Sequence, residues 1–205
     1  MSEWAAIFPD FTLGILKLSA LQAWLHKESE HAETCRRVLE DAGNTSDPVI
    51  AERAAKCYSL IPSSDPRLVG KALTLARRVV DLGQDDPWFC WYLLGLGMAE
   101  YRQSNFLSAD KALLSAISIL SAVDEATSNT GAYRPVIRVT ARLYLTMSLL
   151  HQKKISEARD LFVTVEAQMK CLPVGGQPPK ECTDHDDLIC WLAYKEAKAL
   201  LETNP

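Results

Sequence analysis

No uncharged run in this chain is long enough to cross a bilayer. The longest, Pro87 to Ala99, falls well short of the roughly 20 apolar residues that a spanning helix needs, so no membrane partner is expected. Positive charge is not in excess either. Lysine and arginine number 22 against 26 acidic residues, a net charge of −4. They are spread along the chain, which leaves no basic stripe for phosphate contacts and argues against nucleic acid. The opening MSEWAAIFPDF has no basic segment and no apolar stretch of secretory length before Pro9 and Asp10, so a cytoplasmic protein is expected. No span of alternating β-branched residues bounded by turns rises above the background, and strands are not expected.

Groups able to do chemistry are present but do not assemble into a site. The six cysteines, Cys35, Cys57, Cys90, Cys171, Cys182 and Cys190, sit mostly within helical patterns, where a thiol behaves as a small hydrophobe. With no secretory signal they read as reduced thiols rather than a disulfide framework. Zinc needs four converging ligands, usually from two close pairs. Of Cys171, Cys182, His185 and Cys190, only Cys182 and His185 make a close pair. The Cys182/His185 loop therefore carries the alternative reading, a small zinc-binding or enzymatic helical domain, against the main reading with no cofactor. His26, His31 and His151 fall at helix ends or hairpin turns. The carboxylate pairs Asp85/Asp86 and Asp186/Asp187 precede apolar helices, where helix-start electrostatics accounts for them. No nucleophile with a base and an orienting group is legible, and a non-enzymatic protein is expected.

What the chain has in quantity is apolar spacing at three and four residues. Pro87 to Ser121 reads as one complete helical hairpin: uncharged to Ala99, polar from Glu100 to Asn105, then Phe106, Ala109, Leu113, Ala116 and Leu120 at helical intervals. Gly97 and Ala99 on its first helix and Ala109 and Ala116 on its second leave room for close backbone approach. Weaker copies flank it. Phe11, Ile15, Leu18, Leu21, Trp24 and Leu25 trace one face of a first helix after Asp10. Ala32, Cys35, Val38 and Leu39 trace a second, which Gly43 stops. Asp47–Pro48 opens a third as cap and first residue, and Ser63 to Val69 reads as a longer turn. Ala72, Leu75, Ala76 and Val79 repeat the Ala109 rhythm, and Asp85, Asp86 and Pro87 deliver the chain into the central unit with an acidic cap. After an extended connection at Asp124 to Gly131 comes a hairpin with Leu143, Leu149, Ile155, Ala158, Phe162 and Val165, then an irregular loop from Cys171 to Asp187. A closing helix with Leu188, Trp191, Leu192, Ala193, Ala197 and Leu200 reads as a cap for the last hairpin. The expectation is one all-α domain over 1–205: a right-handed solenoid of about four helical hairpins, at about 10–43, 47–84, 87–122 and 133–171, with a capping helix at 187–203.

The run Gly97, Ala99, Ser104, Phe106, Ala109, Leu113, Ala116 resembles a tetratricopeptide repeat, with Ser104 in place of the usual turn glycine and the late aromatic of the first helix displaced to Tyr101. The segments Thr34 to Pro62, Arg77 to Phe106 and Trp191 to Leu201 are also similar to the helical repeat region that follows the catalytic domain in a group of bacterial serine/threonine protein kinases. That likeness implies a regulatory or docking region. It does not imply kinase activity, because the chain has no Gly-rich phosphate loop, no His-Arg-Asp loop and no Asp-Phe-Gly.

In tetratricopeptide repeats the first helix of each hairpin lines a concave surface. Carried over by position, the resemblance implies a groove formed by Trp91, Leu94, Met98, Tyr101 and Arg102 with Thr140, Leu143, Met147, Leu150 and His151, rimmed by Arg102 and Arg142. Such a surface suits a peptide or protein segment with apolar anchors and acidic flanks. The function expected is that of a non-catalytic interaction scaffold. Its partners would be a protein or peptide, a kinase or its substrate among them, or a second copy of the chain. The alternative to the groove is that the same residues are core and meet facing helices.

Overall fold

The computed structural model describes residues 9–126, 134–173 and 184–204. Among them the chain is all helical: α1 (Pro9–Trp24), α2 (Glu28–Ala42), α3 (Pro48–Ser59), α4 (Pro66–Leu82), α5 (Phe89–Arg102), α6 (Phe106–Ala126), α7 (Arg134–His151), α8 (Ile155–Glu166) and α9 (His185–Thr203). Most of the connection expected at Asp124 to Gly131, and most of the loop expected at Cys171 to Asp187, lie outside the described residues.

Helix starts follow local chemistry. Asp47 accepts from the amides of Val49 at 2.8 Å and Ile50 at 3.3 Å, with Pro48 in the first turn. Asp65 does the same for Arg67 and Leu68 ahead of α4. The turn expected over Ser63 to Val69 is therefore shorter, because Asp65–Pro66 is a helix start rather than part of a loop. The acidic cap expected ahead of the central unit is also corrected. Trp88, without a side-chain cap, precedes α5, while Asp86 accepts from the Trp88 amide within the turn. At α9, Asp184 and Asp187 form a reciprocal capping box, which begins that helix at His185, ahead of the expected residue 187.

Three turns share one geometry. His26, Ser104 and Lys153 have φ of 56°, 59° and 65°, each two residues before the next helix. In each turn the following amide reaches back five residues (Lys27 to Gln22, Asn105 to Glu100, Lys154 to Leu149) and the left-handed residue's own amide reaches back three. This is the left-handed helix stop that satisfies two terminal carbonyls at once. It turns α1 into α2, α5 into α6 and α7 into α8.

Consecutive helices from α1 to α8 pack in order, and the odd-numbered ones also touch in series, α1 on α3, α3 on α5 and α5 on α7. The tightest joint is α5 against α6. A Cβ on Gly97 would lie 2.5 Å from the Leu113 side chain, and Ala109, Leu113 and Ala116 are fully buried. Small residues are needed there because two backbones approach closely.

The sequence predicts a cap on the last hairpin. Helix α9 does pack on that hairpin, on α7 and, through Tyr194 stacked on Phe162, on α8, and it also returns to α1, lying across the face made by the odd-numbered helices. Trp191 is buried against Trp24, ring centroids 5.6 Å apart, and its indole N–H donates to the Lys170 carbonyl at 3.0 Å. Val163 on α8 stays 67 % exposed. The physical reason is that α9 carries apolar residues on more than one side (Leu188, Ile189, Trp191, Ala193, Tyr194, Ala197, all buried) and needs several helices around it.

Candidate functional site at the Arg102 junction

The residues expected to line a groove converge, but into a closed face. Leu94, Met98, Tyr101, Thr140, Leu143, Met147 and Leu150 are buried. Trp91 is partly buried, with the Lys56 ammonium 4.7 Å from its ring centre. His151 stacks on Phe106 at 4.9 Å, with 5° between ring planes, on an exposed edge. Arg142, expected on the rim, donates to Gln168 at 2.7 Å.

Arg102 is the residue around which the face is built. Its side chain is 6 % exposed and three other helices supply its partners. Nε donates to the Ser59 carbonyl at 3.0 Å and one terminal nitrogen donates to the Leu60 carbonyl at 2.9 Å, so the guanidinium stops the end of α3. The same nitrogen donates to the Tyr144 hydroxyl of α7 at 3.3 Å. Glu196 of α9 accepts in fork geometry, at 2.5 Å and 2.7 Å. Tyr144 in turn donates to the Ser59 carbonyl at 3.0 Å, and the Tyr101 hydroxyl lies 3.4 Å from Glu196. Burial opposes the charge on Arg102, but Tyr144 and Glu196 more than restore it, so the group stays ionised. Burial pushes the Tyr144 hydroxyl up to about 12, which keeps it a neutral donor. A bidentate, shape-specific pair of this kind demands an acidic residue at one place on whatever helix occupies the face.

A second charged cluster lies at the start of α9. Lys56 pairs with Glu52, both buried, and Asp184, His185 and Asp186 stand close by, beside a cavity of about 340 Å³ that Trp88, Trp91 and Tyr92 also line. Burial raises the Asp186 carboxyl, against the pull of His185 and Lys56. Asp184, His185 and Asp186 could bring three ligand atoms together. Yet Asp184 is committed to the capping box and the site sits on a helix N-terminus near Lys56, both of which disfavour a cation. Of the expected zinc set, Cys182 lies outside the described residues, Cys171 is exposed and Cys190 is buried beside Trp191. Burial pushes the Cys190 thiol up to about 12, which opposes the thiolate a metal needs.

One pairing was not legible as a site. Cys35 Sγ lies 3.5 Å from His31 Nε2, one turn back on α2, and 3.7 Å from Ser19 Oγ, next to a cavity of about 940 Å³. The i,i+4 spacing on one face was the available signal. Burial pushes the thiol up to about 12 and lowers the imidazole. Both groups are therefore neutral, where an activated nucleophile would need the ion pair.

A scan against protein-family models, a search of curated proteins and a search of solved structures each found no match to this chain.

Proposed function

We propose that the chain is a non-catalytic interaction module, a tetratricopeptide-like stack of four helical hairpins, whose ligand face is held by its own C-terminal helix and serves a partner helix of the same chemistry. The observation that carries this is Arg102. A buried guanidinium, fixed by Ser59, Leu60 and Tyr144, is presented to a single carboxylate on α9, as a receptor presents an anchor to a ligand. The shared left-handed stops at His26, Ser104 and Lys153 support the repeat reading. In this account the expected groove residues are the receptor surface and α9 is the occupant. A competing ligand is an amphipathic helix with a large aromatic five residues before a glutamate, as Trp191 stands to Glu196. A regulatory or docking role beside a kinase, the kind the sequence likeness implies, fits a face that can be held shut.

The test is binding in trans. A labelled peptide of residues 184–204 is titrated against the full chain and against a full chain carrying Trp191→Ala and Glu196→Ala, which weaken the resident helix. The weakened chain should take up the peptide at least tenfold more tightly than the wild type, and a peptide with Glu196→Lys should not bind. Equal, negligible uptake by both chains would overturn the proposal.

A further inference from the structure

Helix α1 has two apolar sides. One enters the core through Leu16, Ala20 and Ala23, whereas the other faces outward. On the outward side Phe11, Leu18, Leu21 and Leu25 are 51 %, 48 %, 39 % and 51 % exposed, and Gly14 is exposed between the first two. The positions 11, 14, 18, 21 and 25 alternate steps of three and four. That is the seam of a two-stranded helical pair rather than the broader stripe of a helix packed on a globular core. Leu25 belongs to the seam because its amide still bonds the Leu21 carbonyl at 2.9 Å.

The seam is complementary to itself. In an antiparallel pair centred on Leu18, Phe11 faces Leu25 of the second copy, Leu18 faces Leu18, and Leu21 faces Gly14. A Cβ on Gly14 would meet nothing within 4 Å, and Gly14 borders a groove of about 350 Å³ between α1 and α2, walled by Phe11, Leu18, Arg37 and Asp41. The large Leu21 of one copy thus meets the hole at Gly14 of the other, twice over, as a twofold interface requires. Charge does not oppose the match, since Lys17 is the only charged residue from 11 to 25 and it lies beside the Asp184 cavity rather than on the seam. The four exposed side chains offer on the order of 300 Å² of apolar surface per copy, and the groove walls bring the total near the roughly 1,000 Å² at which specific interfaces begin.

We infer that the outward seam of α1 is a homodimer interface, antiparallel about Leu18, of micromolar strength. Sedimentation of the full chain across the micromolar range should show a monomer passing to a dimer. Leu18→Glu and Leu18→Lys should each remain monomeric with unchanged helix content and form a dimer when mixed, because Leu18 opposes itself on the axis. Gly14→Leu, which fills the hole without touching the fold, should weaken the dimer at least tenfold, and adding Leu21→Ala should restore it. A wild-type chain that stays monomeric throughout overturns the inference. So does a dimer indifferent to Leu18→Glu, or a chain that dimerises only once residues 1–8 are removed, which would make that segment the occupant. Should a Leu18 variant lose helix content, the Gly14/Leu21 exchange decides alone.

Discussion

A single guanidinium joins four helices. Arg102 saturates carbonyls at the end of α3, meets Tyr144 of α7 and forks onto Glu196 of α9, all from the last turn of α5. The net worth of such a buried pair against apolar replacements is small, because desolvation offsets attraction, but breaking one side is costly. Arg102→Met should therefore destabilise the chain by roughly 3–5 kcal/mol, because it strands Glu196 and the Leu60 carbonyl. Arg102→Met with Glu196→Met together should recover much of the loss. Urea melts of the two single variants and the double give the coupling directly. Simple additivity would show that the pair is screened by water and does not organise the face.

At the scale of the helix pair, α5 supplies two glycines with opposite surroundings. The missing Cβ of Gly97 would sit 2.5 Å from Leu113, whereas that of Gly95 would be 3.7 Å from Glu52. Gly97→Ala should cost about 1–3 kcal/mol by overpacking. Gly95→Ala should be neutral or gain up to about 1 kcal/mol, since alanine restricts the unfolded chain and suits a helix. Thermal melts compare them, and equal effects would mean that α6 yields and the joint is loose. This joint was legible in the sequence because its signals are local: Gly97, Ala99, Ala109 and Ala116 within one hairpin, and a turn at Ser104 where the repeat pattern wants glycine and the backbone is left-handed. The return of α9 to α1 was not legible. Leu188, Trp191 and Ala197 have the same spacing whether they cap one hairpin or lie across four helices. Arg102 and Glu196 are 94 residues apart, with no local trace of their pairing. Leu94, Met98 and Met147 likewise show the same apolar pattern for an open groove as for one filled by the chain's own helix. The capping roles of Asp65 and Asp184 were not legible for a smaller reason, since an aspartate ahead of a helix and one within a turn differ only in the amides they meet.

For the molecule as a whole, the consequence is topological. In an open stack of hairpins each unit touches only its neighbours, so terminal units open at lower free energy than central ones. Here α9 leaves the end of the stack and returns to its beginning, touching α7 and α1 together. Trp191 packed at a tilt on Trp24 is the closing contact, and the Lys195 ammonium, 3.6 Å from the Trp24 ring centre, adds to it. The chain should accordingly open as one cooperative unit. Native-state hydrogen exchange should give the slowest amides of α1 the same opening free energy as those of α5 and α7. Trp24→Ala removes the closing contact and leaves the hairpin joints alone, so in that variant the amides of α1 and α2 should exchange sooner than those of α5 to α7, as in an open stack. If the wild type already shows α1 and α2 opening separately, α9 does not close the fold. Its hold on the odd-numbered face would then rest on α7 and Arg102 alone.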